Sequence, residues 1–199
     1  MTGFHRFGLL APVAAISLSS CGVNSVPTAE EQVNAAWGNL QSEYQRRAEL
    51  IPNLVATVKG YAQQEKSVLV EVTEARAKAS SIQLNASDLS DPAKVQAFAN
   101  AQGQLGGSLG RLLATIEAYP DLKSNANFLT LQSQLEGTEN SILVARRDYN
   151  EAVRNYNVRI RTFPDAIGAK IFYGAKPKVP FEASAAAQAA PKVDFNTAG

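Results

Sequence analysis

A chain of 199 residues is long enough to bury about 70% of its unfolded surface around one core, and 45% hydrophobic with 19% charged residues is the composition of an ordinary globular fold. Nineteen Lys and Arg against eighteen Asp and Glu exclude a dedicated polybasic nucleic-acid binder and an acidic disordered chain, both of which need a lopsided charge. With one His, one Cys, one Met and one Trp, little is left for metal or nucleophile chemistry.

Residues 1–20 read as an export signal that is removed. His5 and Arg6 form a weak polar start, Phe7 to Leu18 is apolar, and Ser19 and Ser20 lead into Cys21. An apolar run of about a dozen residues is too short to span a bilayer core of ~30 Å. Leu18-Ser19-Ser20-Cys21 resembles a bacterial lipobox, in which the thiol is acylated and the chain is cut just before it. The alternative is an uncleaved signal with a free buried thiol. Acylation of Cys21 supplies ~0.8 kcal/mol per buried methylene, so two or three chains hold the protein on a membrane without a basic patch. The expected place is the extracytoplasmic side of a membrane; Gly22, where an Asp would retain the protein at the inner membrane, points to the outer membrane of a diderm cell. A single Cys forbids an intramolecular disulfide, so stability must come from packing.

Residues 21–27 are the lipidated Cys21 and a linker. Thr28-Ala-Glu-Glu31 is a capping-box pattern that predicts a helix start. Apolar side chains then recur at Val33, Trp37, Leu40, Tyr44, Ala48 and Ile51, and after Pro52 the stripe resumes in phase through Val55, Val58, Ala62, Leu69, Val72, Ala75, Ala79 and Ile82. Unbroken phase predicts one long helix kinked at Pro52. The Ser-, Asp- and Asn-rich segment of residues 85–91 predicts a turn, with Asp91 capping a helix that opens on Pro92.

That helix carries Val95, Phe98, Gln102, Leu105, Leu109, Leu112, Ile116 and Tyr119 at coiled-coil-like spacing. Gly103, Gly106, Gly107 and Gly110 lie beside the stripe, at up to ~1 kcal/mol each relative to Ala, and predict close approach of a neighbouring helix. Tyr119-Pro120-Asp121 ends the helix. A third helix runs from about Ser124 to Phe163, with Phe128, Leu135, Ile142, Tyr149, Tyr156 and Phe163 each seven residues apart, over ~60 Å. A short apolar piece from Ala166 to Phe172 follows, then a Pro- and Ala-rich tail over 174–199 expected to be extended or disordered. The fold class is therefore all-α: an elongated antiparallel bundle of three to four long helices over residues 28–173.

Several motifs in order carry a family resemblance. Leu50-Ile-Pro-Asn-Leu-Val-Ala-Thr-Val-Lys-Gly-Tyr-Ala62, Glu71-Val-Thr-Glu-Ala-Arg-Ala77, Tyr119-Pro-Asp-Leu-Lys-Ser-Asn-Ala-Asn-Phe128, Thr138-Glu-Asn140, Ala145-Arg-Arg-Asp-Tyr-Asn150, Tyr156-Asn157 and Phe163-Pro164 are similar to the LemA family of bacterial membrane-anchored helical proteins. The resemblance spans roughly residues 30–182. It implies an antiparallel bundle on an N-terminal anchor, with no established catalytic activity; one branch of the family is linked to magnetosome membranes. The chain departs from the family in having a lipobox where many members have a transmembrane segment, and Tyr61-Ala-Gln-Gln-Glu65 where they often read Tyr-Ala-Lys-His-Glu.

The inventory limits the chemistry. A di-metal bundle needs Glu-x-x-His pairs, and the chain beyond residue 20 has no His; structural zinc and Ser-His or Cys-His catalysis lack their residues as well. A Ser-Lys dyad or a carboxylate pair remains open, but eighteen acids spread over helices form accidental pairs, so the chain reads as non-enzymatic, with no cofactor and no metal. The motif residues Glu71, Glu74 and Arg76, with Glu139, Asn140, Arg146 and Arg147, can meet across the bundle, either to set register or to face a partner. Tyr119, Asp121 and Lys123 form a turn that doubles as a candidate recognition loop. The favoured function is a lipid-anchored interaction or scaffold module, its partners the membrane and an envelope protein or a second copy, with no nucleic acid. The alternative is a carrier whose glycine-rich helix parts around a small apolar molecule.

Overall fold

The computed structural model describes residues 24–182; the signal segment, Cys21 and residues 183–199 of the tail lie outside the described residues. The described chain is all α: α1 (Ser25–Tyr61), α2 (Lys66–Ser81), a 3₁₀ turn (Asp88–Ser90), α3 (Pro92–Ile116), α4 (Pro120–Lys123), α5 (Ala126–Arg159) and α6 (Asp165–Ile171). The 37 residues of α1 span ~55 Å at 1.5 Å per residue. Pairs that run in opposite directions define the topology. Tyr61 meets Asn125, Arg47 meets Glu139 and Trp37 packs on Tyr149, so α1 and α5 are antiparallel along their whole length. Arg76 reaches Ala48, and Trp37 reaches Leu84 just beyond α2, so α2 returns along α1. Lys78 with Gln104 and Glu71 with Arg111 set α3 antiparallel to α2. The result is an up-down-up-down four-helix bundle.

The first long helix differs from its expected form. Pro52 lies inside α1, and the chain reverses at residues 62–65, so the stripe from Val33 to Ile82 belongs to two antiparallel helices. Ala62 and Leu69 are both buried and seven residues apart; a heptad step across a short turn keeps the same phase as an unbroken helix, which is why periodicity does not show the reversal. Proline removes the N–H that would bond the carbonyl four residues earlier. That carbonyl, on Ala48, accepts a hydrogen bond from Arg76 Nε at 2.7 Å. Thus α2 repairs the defect that Pro52 makes in α1.

Helix starts follow local chemistry. Asp91 Oδ1 accepts from the N–H groups of Ala93 and Lys94, and Pro92 takes the first helical position, as expected. Asn125 caps α5 through Asn127 and Phe128, so the helix starts at Ala126, two residues after the expected start. By contrast α1 begins at Ser25, and Thr28 lies in its first turn, donating to the Asn24 carbonyl at 2.7 Å. Pro27 is tolerated there because N–H groups in a first helical turn have no intrahelical acceptor.

The core has two halves. Towards the N-terminal end of α1, Trp37, Tyr44, Phe98, Tyr149, Tyr156 and Phe181 dominate; towards the far end, Ile51, Leu54, Leu105, Leu112 and Leu135 form an aliphatic half. Two further expectations are corrected. A Cβ on Gly103 or Gly110 meets nothing within 4 Å, and on Gly106 and Gly107 only an arginine nitrogen, at 3.7 and 3.8 Å. No helix backbone therefore approaches this face. Phe163 is not the sixth residue of the buried register: α5 ends at Arg159, and Phe163 is 82% exposed.

Arg76→Leu should cost about 1–3 kcal/mol by orphaning the Ala48 carbonyl. In a Pro52→Ala background the cost should shrink, because alanine at position 52 supplies the missing N–H. A double-mutant cycle by chemical denaturation checks this; equal costs in both backgrounds would show that Arg76 acts elsewhere.

Candidate functional site

The polar side chains of the motifs do not converge. Glu71 pairs with Arg111 on α3, Arg76 bonds the Ala48 carbonyl inside α1, and Glu139 faces Arg47 of α1. The expected meeting of the α2 group with the α5 group is therefore absent: each turns to the helix it packs against. Glu74, Asn140 and Arg147 are exposed, with Arg147 reaching only its neighbour Asp148 at 3.4 Å. At the far end of the bundle, Tyr119 donates to Glu65 at 2.9 Å and Lys123 pairs with Glu117, while Asp121 is exposed. The Tyr119–Lys123 turn thus ties the α3–α4 junction to the α1–α2 hairpin.

The residue at the centre of the polar contacts is Arg47, which is 3% exposed. Nη1 donates to Glu139 Oε1 at 2.8 Å, and Nη2 donates to Gln102 Oε1 at 2.8 Å and the Gln102 carbonyl at 3.1 Å. The guanidinium also lies 5.2 Å from the Tyr44 ring centroid. One side chain so joins α1, α3 and α5 at the boundary of the two core halves. The signal was present in the sequence: Leu40, Tyr44, Arg47, Ile51 and Leu54 follow steps of four and three, placing Arg47 on the buried stripe. Read beside Arg46, it passes for a solvated charge.

A second feature is the segment after α6. Residues 174–182, expected to be extended or disordered, are extended and ordered: they fold back along α5 and close the seam between α3 and α5. Asn157 donates to the Lys178 carbonyl and accepts from its N–H, both at 2.8 Å. Asn150 does the same with Phe181, at 2.8 and 2.7 Å. Tyr149 donates to the Val179 carbonyl at 2.9 Å, and Val179 N–H donates to Leu89. The Tyr-Asn pairs one heptad apart are thus clamps: phenols on the core stripe, amides reading an extended backbone. Phe181 then stacks on Trp37 and meets Phe98 and Tyr149 edge-on. Lys178 is buried, bonded to Glu30 at 2.9 Å and the Ala86 carbonyl at 3.1 Å.

The buried phenols are held in the neutral form. Burial raises Tyr149 well above the usual phenol range, and burial aided by the Glu30 carboxylate pushes Tyr156 up to about 12. Burial also raises Tyr44, with the Arg146 and Arg47 charges opposing it. None is arranged to act as a base near neutral pH. Among the described residues no three His, Cys, Asp or Glu side chains are grouped to hold a metal ion.

Two open grooves flank this centre. Beyond Phe181 the α3–α5 seam leaves a cavity of about 290 Å³ between Gly103, Gly106, Arg47, Glu139 and Arg146, where Arg146 lies 5.9 Å from the Phe181 ring centroid. On the opposite side of α5, a groove of about 500 Å³ against α1 is lined by Asn39, Glu43, Asn140, Val144 and Asp148. Val144 is exposed there, and Glu43 Oε2 is buried without a hydrogen-bond partner.

The LemA family model matches residues 36–195. The chain is 28% identical over 172 residues to Magnetosome protein MamQ 1 of Paramagnetospirillum magneticum, covering 78% of this chain and 63% of that protein. It is 27% identical over 172 residues to Magnetosome protein MamQ of Magnetospirillum gryphiswaldense, with the same coverage. Protein LemA of Metamycoplasma hominis is 25% identical over 140 residues, covering 70% of this chain and 60% of that one. The chain thus spans less than two thirds of the length of these relatives.

Arg47→Ala should destabilise the fold by about 1–3 kcal/mol, because it leaves the buried Gln102 acceptors unpaired while the half-exposed Glu139 carboxylate returns to water, and Arg47→Met by less, because it refills the space; thermal or urea unfolding separates the two. Raised phenol pKa values in the fold mean that stability is unaffected below pH 10, the unfolded value, and falls as pH rises from there towards the folded value of about 12 for Tyr156. Tyrosinate absorbance of the buried phenols should therefore rise together with loss of helical circular dichroism rather than before it.

Proposed function

The chain belongs to the LemA family, and from that membership we propose a lipid-anchored, non-enzymatic interaction module: a helical rod held through acylated Cys21 on the extracytoplasmic side of a membrane, the periplasmic face of the outer membrane in a diderm cell. Among the described residues no helix is long and apolar enough to cross a membrane. The observation that carries the interaction reading is the division of labour among the polar motif residues. Arg76, Glu139 and Tyr119 are spent on register, whereas Asn140 and Arg147 stay exposed on one side of α5, beside the groove that holds exposed Val144 and the unpartnered Glu43 oxygen. An apolar contact with a polar rim and an unmatched acceptor is what a protein partner completes.

The carrier reading needs an apolar space near Gly106 and Gly107. The cavity beside Gly106 sets Arg47, Glu139 and Arg146 among Tyr44, Ile142, Leu143 and Phe181; three charged side chains in its wall support the interaction reading over the carrier.

Two measurements test the proposal. Mass spectrometry of the N-terminal peptide should find acyl groups on Cys21, and Cys21→Ser should release the protein from membranes. Crosslinking in intact membranes should capture a specific envelope protein, or a second copy, with the native chain and lose it with Asn140→Arg/Val144→Arg, whose sites are exposed and leave helicity unchanged. Capture unaffected by that variant would remove the α1–α5 face from the proposal; a co-purifying small molecule with no protein partner would replace it by the carrier.

A further inference from the structure

The end of the bundle where α1 begins and α5 ends carries an apolar patch that the core does not use. Of the eleven large apolar side chains exposed among the described residues, five lie within residues 163–173: Phe163, Ile167, Ile171, Phe172 and Tyr173, with Ile171 at 69% and Phe172 at 67%. Their exposure follows from how α6 docks. Its small residues Gly168 and Ala169 are buried, and Ala169 joins the core cluster of Val26 and Ala29 at the start of α1. Ile167 and Ile171, four residues apart on α6, are thereby left outside, while Phe163 precedes α6 and Phe172 and Tyr173 follow it.

Cations are interspersed with the patch residues and flank them in the sequence. Arg159, Arg161, Lys170 and Lys176 are all exposed, and the one carboxylate in that stretch, Asp165, is 3.9 Å from Arg159. The patch also lies beside the expected anchor. Ser25 and Ala29 share a surface groove with Thr162, Pro164 and Asp165, and Cys21 precedes Asn24 by three residues, a reach of at most ~11 Å.

We propose that this end face is a second membrane contact, with Phe163, Ile167, Ile171 and Phe172 seated in the interface of an anionic bilayer and the four cations against its headgroups. Aromatic and branched side chains with flanking Arg and Lys are the chemistry of an interfacial segment, the apolar groups entering the acyl boundary while the long cationic side chains reach back to the headgroups. Water penalises these exposed side chains, and a lipid interface removes that penalty. The consequence is orientation: a lipid on a short linker tethers but does not aim, whereas an end face on the bilayer stands the helix axes away from it and places Leu129, at the opposite end of α5, far from the surface. The proposal rests on the preceding reading only in taking the end next to Cys21 as membrane-proximal.

The test uses the full chain in native membranes. A photoreactive benzoylphenylalanine replaces Phe163, Phe172 or, as the control, Leu129, an exposed apolar residue at the other end. After irradiation, mass spectrometry identifies the adducts, and circular dichroism confirms that each variant keeps its helicity. The expected result is phospholipid adducts at positions 163 and 172 in several-fold excess over position 129. Protein adducts at 163 and 172, or lipid adducts no more frequent than at 129, would overturn the proposal. The Cys21 peptide from the same samples separates the two claims: an acylated Cys21 without lipid adducts at 172 defeats the end face alone, and lipid adducts at 172 with an unacylated Cys21 support the face while defeating the anchor.

Discussion

The arrangement depends first on a buried cation. Arg47 lies on the core stripe of α1 and finds its acceptors on two other helices, Gln102 of α3 and Glu139 of α5. A heptad-patterned bundle can slide by a turn or more with little change in apolar contact, since one Leu layer resembles the next. A charge inside that bundle can be satisfied in only one register. Desolvating a guanidinium costs several kcal/mol, and the pair repays this only when its hydrogen bonds are made. The layer therefore contributes uniqueness more than stability, and it separates an aromatic half of the core from an aliphatic one.

The aromatic half is completed from a distance. Trp37 comes from α1, Phe98 from α3, Tyr149 from α5 and Phe181 from the returning segment beyond α6. Phe181 occupies the seam where α3 and α5 diverge, and Asn150 and Asn157 hold the backbone that delivers it. Each amide satisfies an N–H and a carbonyl that an extended segment against a helix would otherwise leave unpaired. The half at the start of α1 is consequently the more cross-tied, through the returning segment, the Lys178–Glu30 pair and α6. That suits a rod loaded at one end, and it leaves the α1–α5 groove and the end face on a stiff frame.

Much of the fold was legible in the sequence. The stripes of α3 and α5 predicted their buried faces residue by residue as far as Tyr156, and Asp91-Pro92 predicted a helix start. Misreadings arose where local signals are degenerate. Helical phase is blind to direction, so the hairpin at residues 62–65 was invisible behind the more conspicuous Pro52. Glycines at helical spacing suggested a close helix neighbour, whereas Gly106 faces the Arg47 guanidinium. The heptad count carried Phe163 into the core although α5 had already ended. Among the candidate site residues, identity was a better guide than partnership: Arg76, Glu139 and Tyr119 do make cross-element bonds, but to Ala48, Arg47 and Glu65 rather than to one another.

By itself the sequence determined the class, the buried faces of α3 and α5 and the family, because each is written in local spacing or in an ordered set of motifs. Tertiary structure alone decided which acceptor each buried polar group meets, that residues 174–182 complete the core, and that the aromatics of residues 163–173 lie at the end where α1 begins. Those are relations between elements far apart in the chain. They are set by which geometry pairs most of the buried hydrogen-bonding groups at once, a condition that no stretch of residues carries alone.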